Sequence, residues 1–514
     1  MLTPYVRAIL QATVYDVAVR TPLEPAVKLS KRFNNDIRIK REDLQPVFSF
    51  KLRGAYNKIS QLSDAEKAKG VICASAGNHA QGVAYSAARL GINNLIVMPT
   101  TTPDIKVQAV KALGGTVHLH GDSFDEANHF AIDKSQTDGL TYIAPYDDEL
   151  VIAGQGTIGL ELTSQWREID YVFVAVGGGG LVAGVAAFLG EVAPHIKVVA
   201  VEPEGAACLK AALEAGERVR LPQVSLFADG VAVAQIGEKP FEVAKMMKSD
   251  GTGTVVEPDV ITCTNDEICA AIKDVFEENR AIVETAGALS VAGMKKYLST
   301  HGITGKNCVA IVSGANMNFD RLRYIAERTE IGEQKEAIFA VALPEKTGAF
   351  LDFCRVLQGR NITEFNYRVD ALNPTAPAHV FVGIGLKEGQ KERAIISDIL
   401  AKGGYTAHDL TDDEASKTHI RYLIGGHANL DDEQLFRVIF PERPGALLNF
   451  LEKLGQDFNI TLFHYRNHGA AEGRIMVGLQ ASKGSSRQIL DALTEIGYEC
   501  DNLTDNVGYQ LFLK

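Results

Sequence analysis

The chain has little of what would tie it to an oxidising compartment, a membrane or a nucleic acid. It has seven cysteines in 514 residues, at positions 73, 208, 263, 269, 308, 354 and 500. Their number is odd and no Cys-x-x-Cys pair occurs. That excludes a disulfide frame or a cysteine-built zinc site, and leaves reduced, cytoplasmic thiols packed in cores. No metal site is expected. No apolar run is long enough to span a bilayer. The first residues, Met1-Leu2-Thr3-Pro4-Tyr5-Val6-Arg7, lack the charged start and apolar core of a secretory signal. Cations are outnumbered: 52 Lys and Arg against 64 Asp and Glu give a net charge of −12, with no basic run. This balance argues against nucleic acid and anionic membrane as partners. What remains is ordinary globular composition, 46% hydrophobic and 23% charged, at a length suited to about three or four domains.

The stretch Phe48-Ser49-Phe50-Lys51-Leu52-Arg53-Gly54-Ala55 stands out. A single lysine lies between an apolar approach (Pro46, Val47, Phe48, Phe50) and a helical pattern (Leu52, Ala55, Tyr56, Ile59). Ser49 suits an N-cap, which places Lys51 in the first turn. An apolar pocket and the positive end of the helix dipole both disfavour the ammonium form, and a neutral lysine attacks carbonyls. The same local pattern also suits a lysine snorkelling at the surface.

Strands and helices then alternate. The pattern predicts a strand over 70–75, the turn Ser75-Ala76-Gly77-Asn78-His79, and a helix over 80–90 ending at Gly91. It continues with strands at 95–98 and 117–119 around a helix at 105–113. After a linker at 144–149, Gly154-Gln155-Gly156-Thr157 opens a helix to 166. A buried strand over 170–176 runs into Gly177-Gly178-Gly179-Gly180, a helix over 181–189 and a strand over 197–202. Residues 205–260 are less regular, with a mobile loop expected at Gly251-Thr252-Gly253. Helices at 266–278 and 288–297 precede a last strand over 308–312, which ends in Ser313-Gly314-Ala315-Asn316. This alternation marks an α/β domain around parallel sheet.

Four glycines between a buried strand and a helix suit a phosphate, because backbone without Cβ atoms approaches it closely and free N–H groups point at it. The run matches neither a Walker loop nor the spaced dinucleotide pattern, and a flexible turn is its plainer reading. The Ser75 turn can hold a small carboxylate or be an ordinary turn with Asn78 at an unusual backbone angle. His79 reads as structural before catalytic.

A charged neck over 319–334 leads into an internal repeat. Phe339, Pro344, Glu345, Gly348, Ala349 and Phe350 line up with Phe436, Pro441, Glu442, Gly445, Ala446 and Leu447. Asn361, Thr363, Phe365, Tyr367 and Arg368 line up with Asn459, Thr461, Phe463, Tyr465 and Arg466. Each copy reads as strand, helix, strand, strand, helix, strand, a ferredoxin-like unit.

Together the lysine stretch, Ser75-Ala76-Gly77-Asn78-His79-Ala80-Gln81-Gly82, the tetraglycine with Leu181, and Ser313-Gly314-Ala315-Asn316 resemble the pyridoxal-phosphate enzymes of the tryptophan-synthase-β fold, in their threonine/serine dehydratase branch. The doubled repeat resembles that branch's paired ACT-like regulatory unit. The resemblance implies a two-lobed catalytic domain at 1–325 with its small lobe at about 41–145, a neck at 326–335, and ACT-like repeats at 336–420 and 434–514. It implies pyridoxal 5'-phosphate joined to Lys51 as a Schiff base, with Phe50 against the ring, Asn78 at the ring hydroxyl and Ser313 at the ring nitrogen. Gly177, Gly178, Gly179, Gly180 and Leu181 would bind the phosphate. Ser75, Ala76, Gly77 and Asn78 would hold the substrate carboxylate, with Gln155 lining the pocket. Lys51, Ser75 and Asn78 form the implied catalytic set.

The implied reaction turns L-threonine into 2-oxobutanoate and ammonia, opening isoleucine biosynthesis, with L-serine as a secondary substrate. Serine dehydratase, serine racemase or β-replacement activity on the same fold, or a silenced amino-acid-binding regulator, are the alternatives. Isoleucine as inhibitor and valine as activator are implied at Tyr367, Tyr465, Phe350 and Leu447, in a homotetramer. Where the branch commonly has Glu-Pro, this chain has Glu284-Thr285, which leaves one pocket wall in doubt.

Overall fold

The computed structural model describes residues 3–246, 259–319, 321–369, 377–413, 416–423, 430, 432–441, 446–454, 458–466, 472–480, 487, 489–491, 499–506, 509 and 513. The loop expected at 251–253 lies outside them. The chain divides into two compact units, Met1–Thr329 and Glu330–Lys514, and the division falls inside the helix Arg321–Gly332.

The first unit carries two sheets. The smaller has the order Thr116–Leu119, Asn94–Met98, Val71–Ala74, Thr141–Tyr142, all parallel. Alternation along its buried central strand decides what covers each face. Val71 and Cys73 pack with Ala55, Ile59 and Val83, whereas Ile72 and Ala74 pack with Ala127 and Ala131. The larger sheet has the order Leu23–Pro25, Asp36–Arg41, Asn307–Val312, Tyr171–Ala175, Lys197–Pro203, Val260–Cys263, parallel except for the first strand. Its strand Asn307–Val312 likewise feeds two cores, Cys308, Ala310 and Val312 into one and Val309 and Ile311 into the other.

Three sequence expectations need correction. Ser49 does not cap the lysine helix: the cap position is Phe50, without a side-chain bond, and the buried Ser49 hydroxyl has no partner among the described residues. The helix expected to open at Gly154 begins at Glu149, capped by Asp148, whose carboxylate accepts the N–H groups of Leu150 and Val151. Gly154 is instead a crossing point: a Cβ there would lie 2.6 Å from Gly54 Cα of the lysine helix. The helix expected from residue 288 begins at Thr285.

The second unit has one eight-stranded sheet, in the order Thr406–Asp409, Glu336–Leu343, Ala378–Gly385, Ile362–Arg368, Asn459–Arg466, Glu472–Gln480, Glu433–Pro441, Glu499–Asn502. It is two ferredoxin-like sheets joined edge to edge, because each repeat's second strand pairs antiparallel with the other's, Tyr367 opposite Phe463 and Phe365 opposite Tyr465. That pairing leaves neither joined edge open. Arg368 of the first repeat donates to Glu433 of the second at 2.6 Å.

Candidate active site

Lys51 is the first residue of the helix Lys51–Ser60. Its Nζ donates to the Pro145 carbonyl at 3.0 Å and sits 5.4 Å from the Phe50 ring centroid. Loss of water around the amine pushes it down to about 8, against the opposing pull of the Glu284 carboxylate. A salt-bridge cluster inside the protein holds the helix. Arg53, fully buried, donates to Glu42 at 2.8 Å and to Glu161 at 2.6 Å, and Lys40 bonds Glu161 as well. Two cations thus meet two carboxylates without leftover charge, the condition under which buried ions are tolerated.

The approach to Lys51 is stitched to the turn after the last strand. Phe50 N–H donates to Ser313 O at 3.1 Å, and Ala315 N–H donates to Phe48 O at 2.8 Å. Phe48 has a φ of +55°, a left-handed conformation that costs energy for a bulky residue and is held by these bonds. Ser313 is buried, with its hydroxyl 3.3 Å from the Ala286 carbonyl.

Across the site, Gly77 N–H donates to Ser75 Oγ at 3.2 Å, just ahead of the helix Asn78–Leu90. Asn78 Nδ2 donates to Glu284 Oε1 at 2.6 Å, and Asn316 Nδ2 donates to Asn78 Oδ1 at 2.7 Å. Glu284 is buried, and burial pushes its carboxyl up to about 7 despite the Asn78 bond. His79 bonds the Ile143 carbonyl at 2.8 Å, and burial takes its imidazole down to about 3, which keeps it neutral. Gln155 has a partner other than the pocket: its Oε1 accepts the Gly54 N–H at 3.1 Å, which braces the lysine helix. The Thr285 hydroxyl donates to Phe227 O at 3.1 Å, which ties this pocket wall to the neighbouring loop.

The glycine run is closed to side chains. A Cβ on Gly177 would lie 2.8 Å from Val231 Cα, and one on Gly178 would lie 2.2 Å from the Tyr146 ring. Gly179 has a φ of +90° and caps the helix Gly180–Val192. Among the described residues, no acceptor meets the N–H groups of Gly177, Gly178 or Gly179. Leu181 turns its side chain into the core, leaving only its backbone to the loop. Tyr146 follows the Pro145 that Lys51 touches, so one short segment serves both the lysine and the glycines. An anion cradle of free N–H groups, a lysine of lowered basicity, an aromatic ring beside it and a neutral hydroxyl opposite fit pyridoxal phosphate.

Sequence reasoning gave no role to Glu284, Asn316, Tyr146 or Arg53. Glu284, Asn316 and Arg53 lie inside stretches the sequence already marks, Glu284-Thr285, Ser313–Asn316 and Phe48–Ala55; Tyr146 does not. The positions expected to be regulatory are gathered in the second unit: the Phe350 and Tyr367 rings meet edge-on at 4.8 Å, Tyr367 donates to Glu345 at 2.8 Å, and Tyr465 and Leu447 lie in the same core.

Comparison with known proteins decides the family. A model described as "Pyridoxal-phosphate dependent enzyme" matches residues 14–314, and one described as "C-terminal regulatory domain of Threonine dehydratase" matches residues 327–420 and again 424–513. The "L-threonine dehydratase biosynthetic IlvA" of Escherichia coli K12 is 52% identical over 99% of this chain and 97% of that protein. The chain belongs to the biosynthetic threonine dehydratases. The mitochondrial threonine dehydratase of Saccharomyces cerevisiae is 46% identical over 99% of this chain and 89% of its own. Among solved structures, processed threonine deaminase isoform 2 from Solanum lycopersicum matches at 52% identity and a TM-score of 0.60, covering 63% of this chain and 92% of that one. Maize serine racemase matches at 31% and 0.57, covering 62% and 95%. As a member of this family, the dehydratase is a pyridoxal-phosphate-dependent lyase with a regulatory part. Among its described residues, no helix is long and apolar enough to cross a membrane.

Proposed function

We propose that this chain converts L-threonine to 2-oxobutanoate and ammonia, the opening step of isoleucine biosynthesis, under feedback from isoleucine. Full-length identity of 52% to a protein named as a biosynthetic threonine dehydratase carries the reading. When bound, pyridoxal 5'-phosphate supplies an aldehyde for the substrate amine and a conjugated ring that withdraws electrons from Cα. The chain does the rest. The N–H groups of Gly177, Gly178, Gly179, Gly180 and Leu181 hold the phosphate. Phe50 would lie along the ring and Asn78 would donate to its hydroxyl. Ser75, Ala76 and Gly77, with Asn78, hold the substrate carboxylate at a helix start. Lys51, its basicity lowered so that the amine is partly neutral near pH 8, removes the Cα proton at Nζ. Ser313 faces the ring nitrogen with a hydroxyl and adds no negative charge, which suits loss of the β-hydroxyl over transamination.

The catalytic part is taken as 1–325, with its small lobe at about 41–145. The neck is 326–335, and the ACT-like repeats are 336–420 and 434–514. Isoleucine and valine bind at Tyr367, Phe350, Tyr465 and Leu447, and act through unequal affinity for two states of a cytoplasmic homotetramer. L-Serine is a secondary substrate giving pyruvate. Ketoacid release from L-threonine, with and without isoleucine, tests the reading. No 2-oxobutanoate would refute the activity, and release unchanged by isoleucine would refute the feedback.

A further inference from the structure

Asn78 is held from two sides. Its Oδ1 accepts from Asn316 at 2.7 Å, and its Nδ2 donates to Glu284 Oε1 at 2.6 Å. A carboxamide has two N–H donors and one carbonyl oxygen, so this bonding leaves one N–H of Asn78 free. Asn316 also donates to Val47 O at 2.8 Å, so the residue orienting Asn78 is tied to the loop that delivers Lys51. Glu284 is pinned in turn: its N–H donates to Gly314 O at 3.2 Å, and a Cβ on Gly314 would lie 2.5 Å from its Oε1. A Cβ on Gly230 would lie 3.7 Å from the same oxygen and 3.9 Å from Asn78 Nδ2, so the loop beyond closes over both.

An ionised carboxylate only accepts hydrogen bonds, whereas a protonated one also donates. Ionised Glu284 therefore accepts only the nitrogen end of the Asn78 amide. Protonated Glu284 can donate to a flipped amide, and that flip would bring the Asn78 nitrogen against the donating nitrogen of Asn316. We propose that Glu284 and Asn316 are positioning residues: they hold the carboxamide of Asn78 with its free N–H facing the cofactor ring, and ionised Glu284 admits that orientation alone. The proposal rests on the assignment of Lys51 and Asn78 to the cofactor given above. The charged groups that face Glu284 are Lys51 on its helix, Lys106 from the small-sheet lobe and Asp229 from the loop beside Gly230; burial outweighs them and moves the carboxyl to about 7.

The test is the visible absorbance of the purified holoenzyme titrated between about pH 5.5 and 9, alongside kcat and KM for L-threonine, in wild type, E284Q and N316A. Wild type should show a spectral transition with a midpoint near 7. E284Q keeps an accepting carbonyl but cannot ionise, so its spectrum should be flat through that range. N316A should lose about tenfold or more in kcat with a smaller change in KM, the size expected for loss of one buried positioning hydrogen bond. A transition in E284Q like that of wild type overturns the proposal, as does N316A with kcat within about twofold of wild type. Borohydride labelling of Lys51 in each variant separates the two readings: label at Lys51 with either overturning result leaves the proposed reaction standing and removes only the positioning role.

Discussion

Replacing Gly178 by alanine tests the anion cradle at its tightest point. Gly178 does not have a left-handed φ, so alanine is compatible with its backbone and the cost is steric. The new methyl would lie 2.2 to 2.3 Å from three carbons of the Tyr146 ring. The ring has little room to yield. On one side Pro145 O accepts Lys51 Nζ, and on the other the Asp147 carboxylate accepts the N–H groups of Glu238 and Lys239 at 2.9 Å. Overpacking of this kind costs about 1–3 kcal/mol. If the strain is felt mainly when the loop must close on a phosphate, cofactor affinity should fall by about 5- to 150-fold. Absorbance titration of the cofactor-free enzyme with pyridoxal phosphate measures it. Tyr146→Ala removes the clashing ring, so Gly178→Ala should be milder in that background, with a coupling of about 1 kcal/mol or more. Wild-type affinity in Gly178→Ala, or equal losses in both backgrounds, would refute the steric reasoning.

Arg53→Met should be strongly destabilising, by about 3–5 kcal/mol, because it leaves Glu42 and Glu161 buried with only Lys40 to answer them. Calorimetry of the first unit's transition reads it, and an unchanged Tm would contradict the cluster's role. In cofactor-free enzyme the Lys51 amine falls from 10.5 to about 8 on folding. The unfolded chain then binds more protons between those values, so this residue's contribution to stability rises with pH across that window. Lys51→Met should therefore exceed wild type by about 3 kcal/mol below pH 8 and lose that advantage toward pH 10.5. Denaturant midpoints at both ends check this, and a pH-independent difference would oppose it. Tyr367→Phe frees Glu345 from its hydroxyl partner. It should shift the isoleucine concentration for half inhibition, and an unchanged curve would remove Tyr367 from the effector site.

Much of the fold is written in short-range pattern. Short unbroken apolar runs at Val71–Ala74 and in Asn307–Val312 mark buried strands, and Gly91 and Gly302 sit at helix ends as left-handed caps. The repeat was legible because matched Asn-Ile-Thr and Phe-x-Tyr-Arg stretches recur on equivalent strands. Capping residues carry information that apolar periodicity does not: Ser123 and Glu126 form a capping box that opens Phe124–Asp138, a helix absent from the sequence expectations. Gly154 was misread because a glycine at a helix crossing and a glycine at a helix start look alike in sequence. The site's outer ring was hidden for a different reason. Asn78 lies 206 residues from Glu284 and 238 from Asn316, and only the meeting of two sheets brings it to them. Tyr146 gives no local signal at all, since its function is to fill the space that the glycines leave.

The most direct test of the central claim is borohydride reduction of the holoenzyme followed by peptide mapping. A reduced pyridoxyl group on Lys51, absent from Lys51→Ala, is the expected result. Label on another lysine, or on none, would contradict the whole chemical assignment.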